Sequence, residues 1–105
     1  MNSKQAWIGL FTLVPTVDNH EHSKYKGVYV NVLALADEEA EFLAKVEEVC
    51  TRMHFVVQEF EDLEPFAKRA SEYEVDPQLQ KLAEDVAITG GVLFGNMHTF
   101  QHDDA

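Results

Sequence analysis

The 105 residues contain one cysteine, Cys50, so the chain cannot close an internal disulfide and carries no mark of an oxidising compartment. Basic residues are scarce too: eight Lys and Arg stand against nineteen Asp and Glu, for a formal net charge of -11. Nucleic-acid binding requires a Lys/Arg patch that neutralises phosphates, and the absence of one argues against RNA and DNA as direct ligands. An anionic membrane surface is disfavoured on the same ground. No apolar stretch approaches the roughly 18 residues of a membrane helix. The run from Ala6 to Val14 is interrupted by Gly9 and Thr12, and no small-x-small cleavage site follows it, as one would after a signal peptide. A cytoplasmic protein is expected.

What remains suits one modest core. Apolar residues make up 46% of the chain and charged residues 26%, which predicts a single α+β domain over 1–105, with 1–6 and 101–105 fraying. An acidic excess of this size supports solubility, and it also steers the protein toward a basic partner.

Along the chain, residues 7–14 (WIGLFTLV) are apolar nearly throughout and stop at Pro15, the pattern of a strand covered on both faces. Residues 15–26 form a polar, mobile loop. Residues 28–35 alternate Val28, Val30, Val32 and Ala34 against Tyr29, Asn31, Leu33 and Leu35, predicting a second strand. The period then becomes helical: Asp37 is placed to cap, and Phe42, Leu43, Val46, Val49, Cys50 and Met53 share a face. Glu41 with Lys45 and Glu48 with Arg52 are spaced for i,i+4 pairing. Residues 54–60 read as a third strand, followed by an acidic stretch and a short helical turn over 65–73. Asp76-Pro77 opens another helix, with Leu79, Leu82, Ala83, Val86 and Ala87 inward, and Gly90-Gly91 ends it. Residues 92–100 form the last strand.

The order β-β-α-β-α-β predicts a small mixed four-stranded sheet with two helices on one face. Right-handed crossovers would make the second, third and fourth strands parallel. The architecture is close to a ferredoxin-like sandwich, although here the hairpin comes first.

Chemistry-bearing groups are few. His20, His22, His98 and His102, with nearby carboxylates, are the candidate metal ligands, since imidazole and carboxylate suit zinc. Their spacing lacks the paired helical histidines of a metalloprotease, so no metal, cofactor or enzymatic activity is expected. Cys50 and His54 are four apart, but Cys50 lies on the apolar stripe, where a thiol packs as a small hydrophobe. Thr89-Gly90-Gly91 follows a helix rather than preceding one, so carbonyls and not amides face outward and phosphate is disfavoured. Trp7, Tyr25, Tyr29 and Tyr73 serve packing or an interface.

The acidic stretch is the remaining feature. Glu59, Glu61, Asp62 and Glu64 interleave with Leu63 and Phe66, while only Lys68 and Arg69 lie close in sequence. Rim acids with apolar anchors are the composition of an interface for a basic protein, the arrangement of acidic inhibitors and immunity proteins. In the opposing reading, Leu63 and Phe66 simply turn into the core. The first expectation is therefore an acidic module that binds and inhibits a basic protein through these six residues. The alternative is a dimeric regulatory or small-ligand-binding domain, with a His/Asp metal-dependent enzyme ranked behind both. In the dimeric alternative a homodimer through an open sheet face would cover the doubly apolar first strand.

Overall fold

The computed structural model describes residues 4–101. Its elements run β1 (Gln5–Pro15), β2 (Gly27–Ala36), α1 (Glu39–Arg52), β3 (Phe55–Pro65), α2 (Phe66–Glu72), α3 (Pro77–Thr89), β4 (Val92–Phe94) and β5 (His98–Phe100). The fold is α+β. Its sheet has five strands in the order β3-β1-β2-β4, with β5 also pairing with β2. Every pairing is antiparallel.

Three expectations are corrected here. The sheet is antiparallel rather than mixed. β2 and β3 both run antiparallel to β1, so they share a direction with β1 between them, whereas β4 runs antiparallel to β2. The last strand is two short ones, broken at Gly95, whose amide donates to the Asn31 carbonyl at 2.8 Å. Among the described residues there are three helices, the turn expected over 65–73 being α2, and they lie on both faces rather than one.

Strand alternation shows why. In β2 the even residues Val28, Val30, Val32, Ala34 and Ala36 face one way and pack with Phe11 and Leu13 of β1 and with Phe42, Val46 and Cys50 of α1. Phe42 meets Phe11 edge-on at 5.9 Å and Trp7 at 6.1 Å. The odd residues face the other way. There Ile8 and Leu33, paired across the strands, are sealed by Phe66 of α2 and by Ala83 and Val86 of α3. Covering β1 on both sides therefore takes helices from two directions, and the second cover reaches only the Ile8 end of the strand.

Local signals act as the residue chemistry requires, with some exceptions. The Asp76 carboxylate accepts from the Gln78 amide at 2.7 Å and starts α3 beside Pro77, and Gly90 ends that helix with φ 72. Asp37 is not the cap of α1. Glu38 holds that position without a side-chain bond, and Glu41 reaches back to accept from the Asp37 amide at 2.6 Å. Arg52 pairs with Glu48, but Glu41 pairs with Lys4, just before β1, and Lys45 donates to the Leu35 carbonyl at 2.6 Å. For Glu41 and Lys45, tertiary partners thus replace the i,i+4 neighbour.

The 16–26 loop is a chain of turns pinned by two buried side chains, Tyr25 in the first core cluster and the polar Asn19, rather than a loose connection. Asn19 Nδ2 donates to the carbonyls of Met53 and His54, each at 3.3 Å, while its Oδ1 accepts from the Glu21 amide at 2.8 Å. At the start of the chain, Gln5 and Ala6 are part of β1 and not a frayed end. Residues 1–3 and 102–105, His102 among them, lie outside the described residues.

Candidate functional site

The acidic stretch is strand, not loop: β3 continues through it to Pro65, as the edge strand beside β1. Its pairing with β1 slips twice. Leu13 faces Val57 while Thr12 faces Glu59, so Gln58 is an extra residue; Leu10 faces Glu61 while Ile8 faces Glu64, so the segment carries another extra residue around Asp62. Asp62 takes a left-handed backbone, φ 57, which aspartate tolerates better than most residues.

Each slip reverses which side the following residues face. Without the first, Val57, Glu59 and Glu61 would all point at the α1 core. With it, Val57 stays inward while Glu59 and Glu61 emerge on the opposite side. Without the second, Leu63 would follow Glu61 outward. With it, Leu63 turns in over Gly9, whose missing side chain leaves it room.

The structure therefore divides the six residues of the acidic stretch. Leu63 is half-buried in the first core cluster and Phe66 is buried in the second, so neither side chain stands out as an anchor. Glu64 forms an ion pair with Arg69 at 3.3 Å, and Arg69 Nη2 donates to the Asp62 carbonyl at 3.0 Å, both beside Tyr73 in a shallow depression of about 290 Å³. Glu59 and Glu61 are left exposed, and no ion pair reaches either of them among the described residues.

Those two glutamates stand on the half of the sheet face that α2 and α3 leave bare. Glu59, Thr12 and Tyr29 lie directly across three adjacent strands, and Glu61, Leu10 and Asn31 form the next row. Short Thr12 between two long side chains makes a dip. The result is a cavity of about 160 Å³ lined by Leu10, Thr12, Tyr29, Glu59, Phe60 and Glu61. Tyr29, 45% exposed, stacks on Phe100 of β5 at 4.6 Å. Because β5 and β1 flank β2 on opposite sides, Phe100 braces the ring from the far side and its other side borders the cavity.

Sequence reasoning missed Leu10, Thr12 and Phe100 as part of this surface. The signal was available for two of them, since Leu10 and Thr12 alternate with the inward-facing Phe11 and Leu13. Of the other aromatics, Tyr25 is buried, Trp7 packs on Phe42, and Tyr73 is exposed beside Arg69.

The remaining candidates do not assemble. Among the described residues no three His, Cys, Asp or Glu side chains come together as a metal site; His20 and His22 sit in the 16–26 loop and His98 in β5. Cys50 is buried, and that burial, reinforced by the negative charge of Glu47, pushes its thiol up to about 11. A thiol so protonated is a poor nucleophile. No helix among the described residues is long and apolar enough to cross a membrane. No protein-family model, no curated protein and no solved structure matches this chain.

Proposed function

We propose that this protein is an acidic binding module that takes a basic protein on the uncovered half of its sheet and restrains it there. The observation that carries this reading is the pair Glu59 and Glu61, exposed beside Tyr29, Leu10 and Thr12 without a cationic partner, in a chain where five of the described Lys and Arg residues already pair with acids. Carboxylates around an aromatic and aliphatic floor supply what a charged interface needs: steering and register from the rim, desolvation from the centre.

A metabolite-binding domain is less well supported: the cavity on this face, about 160 Å³, falls well below the roughly 300–1,000 Å³ of small-molecule sites, and the depression of about 290 Å³ beside Arg69 reaches only their lower edge and is open and shallow. A second copy of the chain is disfavoured by charge, since each copy brings a formal -11 and its own Glu59 and Glu61 to the contact.

The test is affinity capture from host lysate with the tagged native chain and, in parallel, the variant Glu59→Lys/Glu61→Lys. Both positions are exposed, so circular dichroism should show the variant folded. The native chain is expected to retain a basic protein that elutes as salt rises and that the variant fails to retain. Retention by both chains, or by neither, overturns the reading.

A further inference from the structure

The cavity on this face is too small for a metabolite and shaped for one long side chain. Its floor is Thr12 and Leu10, one wall is the Tyr29 ring held upright by Phe100, and the opposite wall carries the two carboxylates. Neighbouring strands are about 4.8 Å apart, so Glu59 and Tyr29, with β1 between them, root about 10 Å apart. A flat cation entering between them meets an aromatic face on one side and carboxylate oxygens on the other.

Resting on the protein-binding reading above, we infer that the anchor of the basic partner is a single arginine side chain seated in this cavity. The guanidinium plane stacks against Tyr29 while its N–H groups donate to Glu59 and Glu61, and the methylene stem lies over Leu10 and Thr12. Arginine fits this arrangement better than lysine. Its planar fork matches carboxylates two bonds at a time, stacks on aromatic rings and loses less hydration on entry, whereas an ammonium is a compact, strongly hydrated point charge.

The experiment is a titration of the isotopically labelled native chain with two capped tripeptides, glycyl-arginyl-glycine and glycyl-lysyl-glycine, followed by amide chemical shifts. The arginine peptide is expected to shift Leu10, Thr12, Tyr29, Glu59 and Glu61 together, and to bind about threefold or more tighter than the lysine peptide. Glu59→Gln and Glu61→Gln, near-isosteric at exposed positions, should each weaken it about two- to fivefold, the range of a solvent-accessible ion pair. Equal binding of the two peptides, shifts scattered over the acids of α1 and α3, or no effect of either glutamine overturns the arginine anchor. If those results came while Glu59→Lys/Glu61→Lys still abolished capture of the basic protein, the binding face would stand and only its anchor chemistry would fall. Saturable arginine binding at the cavity with no captured protein would support the anchor chemistry and count against the protein-binding reading.

Discussion

Replacing Gly9 with alanine tests whether β3 turns Leu63 inward, the second of its two slips and the one that parts Leu63 from the outward-facing Glu61. A Cβ at Gly9 would overlap Leu63 Cδ2, and it would also come within 3.1 Å of Phe11 Cε2 and 3.3 Å of Phe42 Cε2. The overlap with Leu63 is the severe one and the leucine must be displaced, whereas the two aromatic edges need give only a few tenths of an ångström. Overpacking of this kind costs about 1–3 kcal/mol, and alanine recovers about 0.5–1 kcal/mol by restricting the unfolded chain. The net expectation for Gly9→Ala is a loss of about 1–2 kcal/mol, or roughly 5–15 °C in Tm for a domain of this size. Leu63→Ala alone removes a half-buried side chain and should also destabilise. In the double variant the overlap is gone, so Gly9→Ala should then cost about 0.5 kcal/mol or less. Urea unfolding of the four proteins, followed by fluorescence of Trp7 beside Phe42, closes the cycle. If Gly9→Ala costs the same with and without Leu63, the two residues do not meet, and the inward turn after Asp62 is refuted.

Two further outcomes follow from buried groups. Cys50 should resist a maleimide reagent at pH 8 in the native chain, and stability should fall as pH rises from about 9 to 11. Its thiol, pushed up to about 11 by burial and by Glu47, stays protonated in the folded state while the unfolded chain ionises near the ordinary value of 9.0. The loss, about 2 kcal/mol, should vanish in Cys50→Ala when urea midpoints are compared across that window; rapid labelling or parallel pH profiles would count against it. Asn19→Ala should cost about 1–3 kcal/mol, because it strips bonds from two carbonyls and an amide around a buried side chain. Asn19→Asp should cost no less, since it keeps the acceptor for Glu21 but sets a charge against the carbonyls of Met53 and His54; unchanged urea midpoints for both would mean that Asn19 does not hold the loop.

Where the sequence obeys one period it can be read directly. β1, β2, α1 and α3 are legible because alternation or helical spacing persists through each, and Asp76, Pro77 and Gly90 mark the ends of α3. The acidic stretch breaks the rule. The residues of β3 that face the α1 core are Phe55, Val57, Phe60, Leu63 and Pro65, spaced by two, three, three and two, a pattern matching neither a regular strand nor a helix. Two extra residues produce that spacing, and nothing local announces a bulge, because its cause is the partner strand. The reading that ends the strand at 60 and puts a loop beyond it follows from this. The placement of α2 and α3 on the second face was illegible for a related reason. Leu33 and Leu35 alternate visibly against the valines, but which helix covers which side is decided by crossovers the sequence does not specify.

The acidic residues of β3 also admit an explanation that needs no partner: charges and bulges on an edge strand keep it from pairing with another sheet. The geometry separates the two roles. Blunting an edge requires only that charge and irregularity lie along it, and Asp62, Glu64 and the two slips already supply that. It does not require two carboxylates to share one face beside a braced tyrosine, nor a dip between them floored by threonine and leucine. Glu59→Gln and Glu61→Gln should therefore leave the oligomeric state unchanged, because the rest of the edge remains irregular and charged, while removing the part of the surface that edge protection does not explain.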